Sequence, residues 1–179
     1  MRYFKSQSEV DGTFYDAIKV ERQMIERTET IEIVKPIFRE YLKYVSQFYE
    51  IKNYGPWCDG AIKNLQRYSV EEGRYIYILM ESGSIIGFAL VHKQLRFNHD
   101  GYAIAEFYIQ NEQSRKGYGR KLAEHVFAQF PGHWEIAVAL KNNLAQVFWK
   151  QVVSSYTNGK YREKKTDTFS GSGFVFNNA

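Results

Sequence analysis

The chain has 179 residues, 44% of them hydrophobic, and a formal net charge of +4. This length favours a single domain over residues 1–179, and the apolar content excludes a disordered chain, which would be poor in apolar residues. The mild positive charge favours a small polyanionic ligand, but without a basic patch or known motif it does not indicate a nucleic-acid-binding protein. With only one cysteine, Cys58, an intramolecular disulfide is excluded, and four scattered histidines argue against a metal site.

The sequence also lacks the marks of a membrane or exported protein. No stretch approaches the ~18 uninterrupted apolar residues of a transmembrane helix. The first five residues are not followed by the apolar run of a signal peptide. We therefore expect a cytoplasmic protein with no membrane partner, and the lone cysteine fits a reducing compartment.

The first third of the chain gives mainly helical patterns. Residues 1–16 show no clear period and are expected to form an N-terminal extension, whereas alternation over Ala17–Ile25 predicts a strand. Apolar residues spaced by three and four predict a helix over Thr30–Glu50. A Gly-Pro pair predicts a loop over Asn53–Trp57, and Asp59 is predicted to cap a second short helix that ends at Tyr68.

The remainder alternates between strand and helix patterns. Two β-type runs around a turn at Gly83 predict an antiparallel hairpin, and a third run follows it. Further periodicities predict helix, strand, helix and two C-terminal strands. The predicted ranges are Arg74–Met80, Ile85–His92, Tyr102–Gln110, Gly119–Phe130, Trp134–Leu140, Asn142–Val153, Lys160–Thr168 and Gly173–Phe176. This order predicts an α/β (α+β) fold with a mixed sheet and helices packed on its faces.

One segment carries a chemical signature. A polar loop, Asn111–Lys116, follows the third strand, and Gly117-Tyr118-Gly119 opens the next helix. The unpaired N–H groups and partial positive charge of a helix N-terminus suit a pyrophosphate, and glycines let a ligand approach the backbone. Basic side chains flank the loop on both sides. The phosphate-binding loop of NTPases is excluded because the chain lacks the pattern Gly-x-x-x-x-Gly-Lys-Ser/Thr. The dinucleotide fingerprint is excluded because its third glycine position is occupied by Leu122.

The segment resembles the acetyl-CoA motif of the GNAT superfamily of N-acyltransferases. Besides the glycine loop, the family typically shows Asn-x-x-Ala followed by an aromatic pair, and here Asn142-Asn143-Leu144-Ala145 precedes Phe148-Trp149. The upstream hairpin with Ile86-Gly87-Phe88-Ala89 also matches, so the resemblance covers roughly residues 18–156. It implies a mostly antiparallel sheet with a V-shaped splay, flanked by helices, and acetyl-CoA as co-substrate.

The resemblance also implies a set of cofactor-binding residues: Tyr108, Ile109, Ser114, Arg115, Lys116, Gly117, Tyr118, Gly119, Arg120, Asn142, Phe148 and Trp149. Two positions depart from the family pattern. Ser114 stands where the family usually has Arg or Gln, and Trp149 stands where many members carry the tyrosine that protonates the departing thiolate. The Phe-Trp pair, with Gly132-His133-Trp134-Glu135 upstream, resembles a bacterial branch of predicted acetyltransferases.

The resemblance implies that an amine attacks the thioester directly within a ternary complex. A backbone N–H near Tyr108 and Ile109 would polarise the thioester carbonyl. Glu106 lies in an otherwise apolar strand, so burial would raise its pKa toward neutrality and suit it as the general base. The alternative is a glutamate that faces solvent or pairs with a lysine. Tyr156 is a candidate general acid, although nothing in the sequence selects it over other tyrosines.

Three functions stay open at this point. The first is an N-acetyltransferase acting on a small-molecule amine or on a protein or peptide amine, without a metal. The second is a non-catalytic acyl-CoA-binding module on the same fold, motivated by Ser114 and Trp149. The third, ranked last, is a nucleic-acid-associated protein that uses the basic loop. The C-terminal strands leave open whether the chain forms a homodimer.

Overall fold

The computed structural model of the protein describes residues 23–166 and 171–179. The predicted N-terminal extension, most of the predicted strand Ala17–Ile25 and the end of the predicted strand Lys160–Thr168 lie outside these residues.

The described residues form strands β1 to β7 and helices α1 to α4, each set numbered in chain order. The strands are β1 (Met24–Thr28), β2 (Arg74–Glu81), β3 (Ser84–His92), β4 (Tyr102–Ile109), β5 (His133–Ala139), β6 (Tyr161–Thr166) and β7 (Gly171–Asn177). The helices are α1 (Ile31–Ser46), α2 (Tyr54–Gln66), α3 (Tyr118–Gln129) and α4 (Asn143–Tyr156), with short 3₁₀ turns at Arg67–Ser69 and Asn111–Gln113. None of these helices is long and apolar enough to cross a membrane.

The strands form one sheet in the order β1-β2-β3-β4-β5-β7-β6. Neighbouring strands are antiparallel except β4 and β5, which run parallel and are connected through α3. This parallel pair is short, because register is kept only from Tyr102 opposite Trp134 to Ile104 opposite Ile136. Beyond that point the two strands separate, which confirms the predicted mixed sheet with a V-shaped splay. β7 pairs with β5 and β6 within the chain.

Helices cover both faces of the sheet. On one face, α3 and α4 bury an aromatic-rich cluster that includes Phe127, Trp134 and Trp149. On the other face, α1 and α2 pack over Phe88 and its neighbours. Since successive strand residues point to opposite faces, β2, β3 and β4 contribute side chains to both clusters.

An extra residue in β4 interrupts this alternation. Leu90 of β3 lies opposite Glu106, but the next residue of β3 lies opposite Ile104, so Ala105 is a β-bulge. Ile104 faces the α3/α4 cluster, and strict alternation would place Glu106 on that face as well. The bulge instead turns the Glu106 side chain toward α1, where Tyr41 contacts it.

Two predictions about the second helix are wrong. The predicted loop Asn53–Trp57 is the N-terminal turn of α2, which begins at Tyr54. Pro56 is the third residue of this helix, where the N–H that proline lacks has no intrahelical partner. Asp59 therefore lies inside the helix and does not cap it. The strand β1 spans Met24–Thr28, so it overlaps the predicted strand Ala17–Ile25 at its end, and the start of that predicted strand lies outside the described residues.

Candidate active site

The separation of β4 and β5 opens a groove of about 770 Å³ on the sheet. Its walls are the diverging strands, the C-terminal part of α1, the 3₁₀ turn after α2, the loop before α3 and the start of α4. Of the predicted site residues, the groove is lined by Glu106, Tyr108, Ile109, Ser114, Arg115, Gly119, Asn142, Phe148 and Trp149.

Unpaired backbone groups of β4 face the gap between the strands. The N–H of Gln110 donates to the carbonyl of Ile86 at 2.9 Å, so in the antiparallel register the N–H of Tyr108 also points toward β3. The N–H groups of Phe107 and Ile109 consequently point the other way, where β5 has already diverged. Of the two residues named from the sequence, Ile109 therefore offers its amide to a ligand, whereas the amide of Tyr108 serves the sheet.

The glycine loop has a backbone shape that depends on residues with positive φ. Gly117 is the N-cap of α3 with φ +82°, and Arg115 precedes it with φ +63°. A left-handed arginine costs of order 1 kcal/mol, and such strain concentrates at ligand sites. A Cβ built on Gly117 would meet no atom within 4 Å, so the space in front of the helix N-terminus is open.

Gly119 has a different role. A Cβ at this position would approach the ring of Phe148 to 3.0 Å, so the glycine lets α4 pack against the start of α3. The side chain of Tyr118 is buried and donates its hydroxyl to Glu81, away from the groove.

The flanking basic residues divide into two groups. Arg115 lines the groove, as does Ser114. Lys116 instead donates to Gln113 at 2.7 Å, and Arg120 pairs with Glu124 at 3.0 Å. Both of these lysine and arginine side chains are exposed and do not line the groove, so the charge they contribute is screened by solvent.

The opposite wall is formed by the start of α4. Asn142 caps this helix, since its Oδ1 accepts the N–H of Ala145 at 3.0 Å, and its side chain is buried. Trp149 is 5% exposed and its ring lies 4.8 Å, centroid to centroid and edge-on, from that of Phe107. The indole thus completes an aromatic wall beside the free amides of β4.

Glu106 lies half-buried at the floor of the groove. Its carboxylate accepts a hydrogen bond from the Tyr41 hydroxyl. Burial raises the pKa of Glu106 from 4.5 to about 7, and the Tyr41 hydrogen bond partly opposes this rise. The carboxyl is therefore near half ionisation at neutral pH, as a general base requires.

The structure does not bring Tyr156 into the groove. Its ring packs against Phe127 and Phe176 on the α3/α4 face, and its hydroxyl lies 3.4 Å from the side-chain amide of Asn178. Sequence reasoning had no signal that separated this tyrosine from Tyr41, Tyr44 and Tyr49, which do line the groove.

Sequence patterns did not predict that one end of the groove is basic. Arg67, Arg74 and Arg96 line the groove beyond Glu106, together with His92. Burial and these guanidinium charges lower the pKa of His92 to about 4, so the imidazole is neutral at physiological pH.

A buried carboxylate fixes the loop that carries Arg96. Glu135 of β5 is 3% exposed and accepts the backbone N–H groups of Arg96 and Phe97, the latter at 2.9 Å. The ring of Phe97 lies over Gly173, where any Cβ would overlap it. A glutamate inside the apolar run Trp134–Leu140 is the same signal that singled out Glu106, and it would have identified this residue.

Comparisons with known proteins agree with this geometry. Residues 36–152 match the model of the Acetyltransferase (GNAT) family. An acetyltransferase from Thermus thermophilus superimposes with a TM-score of 0.64 at 14% identity, over 86% of this chain and 97% of the other. The PaiA N-acetyltransferase of Thermoplasma acidophilum in complex with coenzyme A gives 0.59 at 15% identity, over 86% and 99%. The ribosomal-protein-S18-alanine N-acetyltransferase of Escherichia coli gives 0.57 at 15% identity, over 88% and 95%.

The family model covers more than half of the chain, and the chain therefore belongs to the Acetyltransferase (GNAT) family. A search of curated protein sequences finds no match. At 14–15% identity the structural neighbours establish the fold alone.

Proposed function

We propose that the protein is an acetyl-CoA-dependent N-acetyltransferase that transfers the acetyl group to a primary amine within a ternary complex. The observation that carries this proposal is the position of Glu106. Its carboxyl has a pKa of about 7 and lines the same groove as the unpaired N–H groups of Phe107 and Ile109.

The groove fits acetyl-CoA at three places. The open space before the N-terminus of α3 suits the pyrophosphate, since the backbone N–H groups there and Arg115 are positive. The free edge of β4 can hold the amide-containing pantetheine arm through hydrogen bonds, in the manner of an added strand. The thioester then lies beside the amide of Ile109, which supports charge on the carbonyl oxygen.

The reaction needs one proton transfer before bond formation. A protonated amine gives its proton to the Glu106 carboxylate, directly or through a water molecule. The amine nitrogen then attacks the thioester carbon, the C–S bond breaks as the nitrogen loses its second proton to water, and coenzyme A leaves as the thiolate. The indole of Trp149 has no proton acidic enough to give to this thiolate, so in our proposal solvent protonates it after departure.

The relatives differ in acceptor, and the proposal covers both a small-molecule amine and a protein amine. The Escherichia coli neighbour acts on the alanine of a ribosomal protein, as its name states. The groove of this chain is open and lined by tyrosines at the Glu106 end. Either kind of amine can therefore reach the carboxylate.

Calorimetric binding of acetyl-CoA tests the proposal. Gly117→Trp should abolish binding, because its side chain fills the pyrophosphate space. Gly159→Trp is the matched control: Gly159 also has positive φ, +78°, and open space, but it lies in the turn between α4 and β6 and not at the N-terminus of α3. We expect the control to bind as the wild type does.

Turnover then separates the enzyme from a non-catalytic module. Thiol release in the presence of an amine panel should occur with the wild type and fall about 10²-fold or more in Glu106→Gln. A folded wild-type protein that does not bind acetyl-CoA would refute the proposal. Binding without turnover for any amine would instead favour the acyl-CoA-binding module.

A further inference from the structure

The basic end of the groove indicates what kind of amine the enzyme accepts. Three arginines from three separate segments line it: Arg67 from the 3₁₀ turn after α2, Arg74 from the start of β2 and Arg96 from the loop after β3. Within the described residues the groove-lining carboxylates are Glu106 and Glu135. Glu135 is buried, and both of its carboxylate oxygens accept hydrogen bonds from backbone N–H groups. The exposed surface at this end of the groove is therefore cationic.

The arginines are held in place by neighbouring side chains. Glu71, which lies outside the groove, accepts from Nε of Arg67 at 2.5 Å and from Nε of Arg74 at 2.7 Å. The Arg74 guanidinium also lies 5.0 Å over the ring of Tyr68 and donates to Gln94 at 3.1 Å. The Arg74 side chain is only 4% exposed, so this cation is part of the folded core of the site.

Two tyrosines line the groove together with Glu106 and the arginines. Burial raises the pKa of Tyr68, the charge of Arg74 opposes that rise, and the charge of Glu106 adds to it. Burial also raises the pKa of Tyr49, the charge of Glu106 adds to the rise, and the charge of Arg96 opposes it. The rings of Tyr49 and Tyr68 therefore feel both the carboxylate and the guanidinium charges of the groove.

We infer that the acceptor is a small amine that carries an anionic group, a carboxylate or a phosphate, in the same molecule. Its amine lies at Glu106 and its anionic group lies at the arginines. Guanidinium groups recognise both anions through paired N–H donors. A polycationic amine is disfavoured at this end, since like charges would meet. This inference rests on the proposed function.

Matched acceptor pairs test the inference. Each amino acid in a panel is compared with its carboxamide and its decarboxylated amine, and phosphoethanolamine is compared with ethanolamine. Binding is measured by calorimetry with the protein alone and with coenzyme A, and kcat/KM is measured by thiol release. At least one compound with an anionic group should exceed its counterpart without that group by about tenfold or more, both in binding affinity and in kcat/KM.

Arginine variants then locate the effect. Arg67→Gln and Arg96→Gln should reduce the ratio of kcat/KM for the anionic member to that for its counterpart without the anionic group about tenfold. This ratio guards against a general loss of folding, which would lower both members of the pair alike. Arg39→Gln, on the exposed side of α1 and outside the groove, is the control that removes one charge without effect.

The outcomes are distinguishable. The inference would be overturned if amines without an anionic group, or polycationic amines, bind and react as well as every anionic counterpart. It would also be overturned if the preference for the anionic member survives in Arg67→Gln and Arg96→Gln. Failure of acetyl-CoA to bind would refute the proposed function instead. The anion preference is then still read from acceptor binding to the protein alone.

Discussion

Replacing Glu106 by glutamine should stabilise the protein at alkaline pH while removing its activity. Burial raises the pKa of this carboxyl from 4.5 to about 7. At 1.36 kcal/mol per pKa unit, the folded state therefore disfavours the ionised form by about 3 kcal/mol. Solvent reaches the carboxyl through the groove and reduces this cost, so we expect a gain of about 1–3 kcal/mol in Glu106→Gln at pH 8.

The sign follows from proton linkage. A carboxyl whose pKa is higher in the folded than in the unfolded state favours folding below pH 4.5, where both states hold the proton. This contribution is lost between pH 4.5 and about 7, as the unfolded state releases its proton first. The wild type and Glu106→Gln should thus differ little at pH 4.5 and increasingly up to pH 8.

Urea unfolding at several pH values measures the effect. Glu72→Gln is the control, because Glu72 is exposed and makes no side-chain contact within the described residues. Its stability should follow that of the wild type at every pH. Parallel pH profiles for wild type and Glu106→Gln would refute the reasoning, since they would mean that the carboxyl of Glu106 is fully solvated in the folded protein.

Three further substitutions test the contacts that shape the groove. Tyr41→Phe removes a hydrogen bond that lowers the pKa of Glu106, so the rise of kcat/KM with pH should move to higher pH; an unshifted profile would contradict this. Gly87→Ala would bring a Cβ within 2.8 Å of the carbonyl oxygen of Tyr108. We therefore expect the free energy of unfolding in urea to fall by about 1–3 kcal/mol, and acetyl-CoA to bind more weakly by calorimetry. Unchanged values would count against the close approach of β3 and β4. Glu135→Ala leaves the backbone N–H groups of Arg96 and Phe97 without their carboxylate, so stability should fall by about 1–3 kcal/mol by the same urea assay. A loss below about 0.5 kcal/mol would show that these groups pair with solvent instead.

The end of the groove that we propose for the cofactor was largely predictable from local sequence. A glycine at the start of a helix, an asparagine cap and an aromatic pair are short-range features, and Gly117, Asn142 and Phe148 lie where their motifs placed them. Their geometry depends on backbone dihedrals and helix periodicity, which neighbouring residues determine.

The basic end of the groove, which we propose for the acceptor, was not predictable in the same way. It combines Arg67, Arg74 and Arg96 from segments that are distant in the sequence, and no spacing rule connects them. The helix α2 was also misjudged at its start, because Gly55 and Pro56 read as a loop although proline is tolerated in a first helical turn. Long-range contacts of this kind appear only once the sheet order is known.

The β-bulge at Ala105 links the two halves of the site. The apolar run Tyr102–Ile109 predicts a regular strand, and in such a strand Glu106 would point with Ile104 into the apolar α3/α4 cluster. An unpaired carboxylate there would be very costly, so a regular strand and an ionisable glutamate are incompatible at this position. The extra residue turns the carboxylate toward Tyr41 of α1, and β4 leaves β5 immediately before it. One local irregularity thus positions the carboxyl that we propose as the base and opens the backbone edge that we propose for the cofactor.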